Sequence, residues 1–128
     1  MKHILTCSFG KDSIATALLA LQHGEPLDEL VYSEVMFSDT VSGELPEHKR
    51  FIYETAIPYF EKRGIPTRVL RGQKTYLDCF YRNVSRGNAE GKLASFPLTG
   101  RCSIQRDCKL PPIRTYQKTL PQDTVYYL

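Results

Sequence analysis

A short apolar, β-prone segment, His3-Ile4-Leu5-Thr6-Cys7, runs through a polar turn straight into an Ala/Leu-rich helix, and strand–helix alternation then continues along the chain. This constrains the fold more than any other feature, because strand–helix–strand units lay their strands in parallel and cover the sheet with helices. The first helix is read over Ile14–Leu21, preceded by Asp12-Ser13, and stops at Gly24 with Pro26 beyond. Its apolar residues go nearly all round, as expected for a helix packed on a sheet. Val31–Phe37 reads as the second strand and Ser38–Leu45 as a polar loop.

Pro46-Glu47 opens a second helix, since proline suits the first turn and acids suit the positive end. Phe51, Ile52, Thr55, Ala56, Tyr59 and Phe60 supply its apolar stripe, Pro58 predicts a kink within it, and Gly64 ends it. Thr67–Leu70 is a third strand, Tyr76–Val84 a short helix, and residues 87–100 a loop. Pro111–Gln117 reads as a helix opening with proline and Thr124–Leu128 as a final strand. The expectation is an α/β fold: a parallel sheet of four to five strands with helices on both faces, in one domain spanning residues 1–128.

Composition narrows the class. The 128 residues suit one domain, and 41% hydrophobic with 24% charged residues suits a folded chain. No apolar run approaches the ~18–20 residues that span a bilayer. The N-terminal apolar stretch is too short for a signal peptide, so the chain reads as cytoplasmic, with no membrane partner. Its four cysteines then read as free thiols, and the lack of a Cys-x-x-Cys pair argues against structural zinc. Charge is uneven: residues 1–63 carry six Lys and Arg against ten Asp and Glu, whereas residues 64–128 carry eleven against four. The basic half suits either an anionic partner or a solvated face. Nucleic acid is compatible with that balance, but no dense basic or aromatic–basic run argues for it, and a homodimer is equally compatible.

The turn Ser8-Phe9-Gly10-Lys11-Asp12-Ser13 carries the strongest chemistry. Between a strand and a helix start, backbone N–H groups and the helix dipole favour an anion. Gly10 permits close backbone approach, Ser8 and Ser13 offer hydroxyls, and Lys11 offers a point charge. This is phosphate-binding chemistry but not the ordinary P-loop, because position 5 is Leu5 and Asp12 separates Lys11 from Ser13. An Asp beside phosphates is repulsive unless something holds it, which suggests Asp12 working with Mg²⁺. The competing reading is a plain helix cap by Asp12 or Ser8.

Cys7-Ser8-Phe9-Gly10-Lys11-Asp12-Ser13 resembles the Ser-Gly-Gly-x-Asp-Ser loop of the PP-loop ATP pyrophosphatase superfamily, in the variant typical of its phosphoadenosine phosphosulfate (PAPS) reductase-like branch. Met36-Phe37-Ser38-Asp39-Thr40 resembles that branch's apolar-Phe-x-Asp-Thr segment, and Glu44-Leu45-Pro46-Glu47-His48 its helix opening. Arg101-Cys102-Ser103 with Lys109 and Pro112 resembles its Arg-x-Cys-Thr…Lys-x-x-Pro segment, with a less regular gap. The resemblance implies an adenine nucleotide, ATP or PAPS, at the carboxyl ends of a Rossmann-like parallel sheet of the adenine nucleotide alpha hydrolase type. It also implies roles. Ser8, Phe9, Gly10, Lys11, Asp12 and Ser13 would cradle the phosphates; Phe37 would lie near the adenine and Asp39 near the ribose or a metal. Arg101 and Lys109 would neutralise the anionic end of the nucleotide or of its acceptor. Lys11 and Asp12 would serve catalysis, and Asp12 and Asp39 would hold Mg²⁺.

Sulfonucleotide reductases of this branch carry a nucleophilic Cys in a C-terminal Glu-Cys-Gly-Leu-His-type tail, which this sequence lacks; the expectation is a fragment, a minimal domain or a shortened protein. The intact Lys11-Asp12-Ser13 favours ATP with Mg²⁺ over PAPS. Three functions follow: ATP cleavage between the α and β phosphates with adenylyl transfer, PAPS-dependent sulfur chemistry, or nucleotide binding without catalysis. Cys7 and Cys79 read as packing residues. Cys102, flanked by Arg101 and close to Arg106, is the best thiol nucleophile. Cys102 and Cys108 alone do not suggest an iron–sulfur cluster, and His3, His23 and His48 show no ligand spacing.

Overall fold

A computed structural model of the chain describes residues 1–95 and 102–127. The order is β1 (His3–Thr6), α1 (Lys11–Gln22), β2 (Glu29–Glu34), α2 (Pro46–Phe51), α3 (Ile57–Glu61), β3 (Thr67–Arg71), α4 (Tyr76–Phe80), α5 (Leu110–Gln117) and β4 (Val125–Tyr127). The four strands form one all-parallel sheet in the order β3-β2-β1-β4. Leu5 of β1 is in register with Leu30 of β2 on one side and Tyr127 of β4 on the other. The chain steps outward from β1 to β3 and then returns to the opposite side of β1. In such sheets the reversal point marks the ligand crevice.

Alternation sorts the strand residues onto two faces. Leu5, Cys7, Leu30 and Tyr32 face one way, into a core with Ala17 of α1, Ile52 and Ala56, and Ile57 and Phe60 of α3. Each fully buried large apolar side chain here contributes about 1.5–3 kcal/mol. On the other face, Ser33 donates to the carbonyl of Lys109 (2.8 Å) and the Tyr116 hydroxyl of α5 donates to Glu29. Helices therefore cover both faces of a parallel sheet, as the alternation predicts.

The boundaries differ in instructive ways. β2 begins at Glu29 and stops at Glu34, earlier at both ends than the apolar run Val31–Phe37. Both glutamates are buried, yet each is paired: Glu29 with Lys2, Arg68 and Tyr116, Glu34 with Arg71, Ser42 and Tyr53. Beyond it Met36 bridges Ser42 and closes a tight loop.

Two wide π-turns explain the prolines. Ile52–Ala56 joins α2 to α3, so Pro58 is absorbed in a continuous run of helical turns. Gln105–Lys109 leads into α5, so Pro111-Pro112 lie inside a helical segment that already starts at Ser103 rather than opening it. A π-turn shifts the hydrogen-bond register by one residue, which accommodates a ring that lacks a donor. Residues 82–94 also fold back on themselves, with Ala94 N–H donating to the Arg82 carbonyl (2.7 Å) and Val84 N–H to Lys92 (2.9 Å). The region expected as a plain loop from residue 87 is thus partly ordered by backbone bonds; its remainder, residues 96–100, lies outside the described residues, as does Leu128. No helix among the described residues is long and apolar enough to cross a membrane.

Candidate functional site

A cavity of about 480 Å³ opens above the carboxyl ends of β1 and β2. Thr6, Cys7, Ser8 and Ser13 line it from the first strand, turn and helix; Tyr32 and Ser33 line it from the second strand, and Val35 from just beyond its end. Gly43 and Glu44 come from the loop before α2, Tyr76 from α4, and Cys102, Ile104, Gln105 and Lys109 from the segment entering the second π-turn. Residues from both halves of the chain therefore meet at the end of the sheet where parallel folds bind ligands.

The turn after β1 is built by three features. Phe9 takes a left-handed backbone (φ 60°), which is uncommon for a bulky residue. Its ring is buried and packs edge-on against Tyr32 (5.4 Å between centroids), which holds the conformation. Gly10 then serves as the residue before α1 with an ordinary extended backbone, and Lys11 opens the helix. No side chain caps α1, so the helix-cap reading of Asp12 or Ser8 does not describe this turn. Instead Ser8 and Ser13 hydroxyls meet at 3.1 Å, Ser8 N–H donates to Ser13 Oγ (3.4 Å), and Gly10 N–H donates to Ser8 Oγ (3.4 Å).

The other wall is more acidic and aromatic. Tyr32 donates its hydroxyl to Glu44 (2.9 Å), and Glu44 also faces His48 at 4.0 Å. Burial first, then the Glu44 charge, push the Tyr32 hydroxyl far above its ordinary value, so it stays a donor. Tyr76 is pushed up in the same direction by burial and by the neighbouring Cys102 and Glu44. Burial likewise raises the Cys7 thiol, in keeping with a packing role.

The structure brings together Ser8, Ser13, Cys102 and Lys109 of the expected residues. Phe9 does not line the cavity, since its side chain belongs to the core. Lys11 and Asp12 pair with each other at 3.0 Å with side chains more than nine-tenths exposed, and neither they nor Gly10 line the cavity. Phe37 is partly exposed and packs against Tyr76 (6.2 Å), while Asp39 sits on the exposed turn between Ser38 and Val41. Neither lines the cavity. Arg101 lies outside the described residues. Among the described residues no three His, Cys, Asp or Glu side chains assemble as a metal group.

Tyr32, Ser33 and Tyr76 were not singled out from sequence, and Glu44 entered only as part of the helix opening at residues 44–48, with no site role. Tyr32 and Ser33 carried a usable signal, because they end a strand and parallel sheets bind at strand ends. Tyr76 carried none, and Glu44 only its place in that segment, since their approach to the cavity is tertiary. No protein-family model matches the chain, and neither a curated protein nor a solved structure matches it significantly.

Proposed function

We propose that the chain is an adenine-nucleotide-binding domain of the PP-loop, PAPS reductase-like kind, which holds the phosphates of ATP at the Ser8–Ser13 turn. One observation carries the reading: two serine hydroxyls 3.1 Å apart sit in a cavity wall, at the start of a helix that no side chain caps. Backbone N–H groups and the helix dipole in such a place suit phosphate oxygens. Lys109 in the cavity wall and the exposed Lys11 at the start of α1 would balance the phosphate charge, and Glu44 and Ser33 would offer partners to sugar hydroxyls.

Magnesium is compatible with these residues. It is commonly held by one or two carboxylates, with phosphate oxygens and waters completing the shell. Asp12, in the first turn of α1 and paired with Lys11, offers one such carboxylate; Asp39, on its exposed turn outside the cavity, is not brought to it. Bound Mg²⁺ would supply charge neutralisation at the phosphates. The resemblance to ATP pyrophosphatases points to cleavage between the α and β phosphates and adenylyl transfer to an anionic acceptor drawn to the basic half of the chain.

A second reading rests on Cys102, an exposed thiol lining the same cavity. With PAPS bound, its sulfur would attack the sulfate sulfur, the S–O bond to the nucleotide would break, and the nucleotide would leave with that electron pair.

The test is a thermal-shift titration with ATP·Mg²⁺, PAPS and pyrophosphate, on wild type and Asp12→Ala. A ligand at 100 times its Kd adds about 2.7 kcal/mol. Stabilisation by ATP·Mg²⁺ that Asp12→Ala loses is the expected result. A response to PAPS alone selects the second reading, and no response to any of the three rejects nucleotide binding.

A further inference from the structure

The four cysteines are not scattered alike. Cys79 of α4 and Cys108 of the second π-turn are twenty-nine residues apart in sequence, yet their sulfurs meet at 3.4 Å. Both are buried, and Cys108 is 1% exposed. They share a small core with Ile104, packed against Val35 and Tyr76. Ile104, Val35 and Tyr76 also line the cavity, so the two thiols lie directly behind its wall.

We propose that Cys79 and Cys108 are an oxidation site, a dithiol that hydroperoxides convert to one intrachain disulfide. The geometry is nearly that of the product: a disulfide is about 2.05 Å long, so the sulfurs need to close by about 1.4 Å. The two partners are held on separate, fixed elements. A reciprocal cap between Thr75 and Asp78 secures α4, and Gly72 lets the end of β3 lie against the Cys108 carbonyl, where an added Cβ would come within 2.6 Å. π-turns are the weaker part of a helix and often sit at functional sites, and here one carries Cys108.

The chemistry balances. One thiol sulfur attacks the O–O bond of the peroxide, becomes a sulfenic acid and releases water or an alcohol. The second sulfur displaces the hydroxyl, which leaves as water, and the S–S bond forms. Two thiols lose two hydrogens and two electrons, and the peroxide is reduced. Burial, together with the bond to Cys79, pushes the Cys108 thiol up to about 12, so attack is slow at neutral pH and accelerates as pH rises. Cys102 is exposed and Cys7 is buried in the main core, so neither shares this arrangement.

The experiment treats the folded full-length chain with hydrogen peroxide at pH 8, alkylates remaining thiols, and maps tryptic peptides without reduction. Cleavage after Arg101, Arg106 and Lys109 separates Cys102 from Cys108, and cleavage after Lys74 and Arg82 isolates Cys79. The expected product is lighter by about 2 Da before alkylation, joins the Cys79 and Cys108 peptides, and separates on reduction. A Cys102→Ser variant, whose exposed position spares the fold, is expected to form the same bridge. A bridge through Cys102, bridges between chains, fully alkylated Cys79 and Cys108, or equal bridging in the urea-unfolded chain would each overturn the assignment. None of these outcomes depends on whether the cavity binds a nucleotide.

Discussion

Glu34 and Arg71 are register partners at the carboxyl ends of β2 and β3, and Arg71 closes on the Glu34 carboxylate through two nitrogens, at 2.7 and 3.0 Å. The glutamate is fully buried and also accepts from Ser42 (2.8 Å) and Tyr53 (3.0 Å). One carboxylate therefore ties the sheet to the loop before α2 and to the first π-turn. Removing it strands three donors, and Glu34→Ala is expected to cost about 2–4 kcal/mol in urea unfolding. Arg71→Ala, whose guanidinium is half exposed, is expected to cost less because Ser42, Tyr53 and Lys49 remain.

The same carboxylate sets a pH dependence. Burial alone would raise its pKa, but the bonds from Arg71, Ser42 and Tyr53 and the Arg71 charge outweigh it and hold Glu34 below its ordinary value. A depressed pKa contributes stability above the unfolded value of about 4.3, and that stability is lost as pH falls through the folded one. Stability should therefore decline below about pH 4.5, and Glu34→Gln should flatten that decline. An unchanged acid limb in Glu34→Gln would assign it to other carboxylates, Asp107 beside Arg106 among them.

Phe9 offers a test of stored backbone strain. Its left-handed backbone disfavours any residue with a Cβ by about 1–2 kcal/mol, whereas glycine adopts it freely. Phe9→Ala loses the buried ring and should cost about 3–5 kcal/mol. Phe9→Gly loses the same ring but relieves the backbone, so it should be the more stable variant by about 1 kcal/mol in urea unfolding. The reverse order would mean that the turn relaxes once the ring is gone.

Gly10 separates folding from binding. Its backbone suits any residue, and an added Cβ would meet Ser8 Oγ at an ordinary 3.5 Å. Gly10→Ala should therefore change unfolding by less than about 1 kcal/mol. Under the nucleotide reading the new methyl crowds the phosphates, and ATP·Mg²⁺ affinity should fall at least about tenfold, or 1.4 kcal/mol. Affinity unchanged in this variant would move the phosphates away from the turn.

Local signals carried much of this architecture. β1 is apolar and α1 is Ala/Leu-rich, so pattern and tertiary packing agree there. They disagree at β2, where Glu29 and Glu34 are strand residues only because distant Arg68, Arg71, Tyr53 and Tyr116 reach them. They disagree again at Pro111-Pro112, where a wide turn upstream lets prolines sit inside a helix that proline normally opens. In the site, Ser8 and Ser13 were legible because strand, turn and helix are consecutive. Tyr76 and Glu44 join them only through folding, and no spacing announces such a meeting.

The placement of β1 between β2 and β4 has a consequence for the chain as it is being made. The partner on one side of β1 follows within about thirty residues, whereas the partner on the other lies roughly 120 residues downstream, the longest loop closure in the sheet. At a synthesis rate of about 5–20 residues per second, that edge of β1 stays unpaired for on the order of ten seconds. An emerging chain of this kind exposes a β-prone edge next to half-covered apolar residues throughout that interval, which is the situation that general chaperones recognise. The cavity beside β1 is accordingly among the last features to be completed.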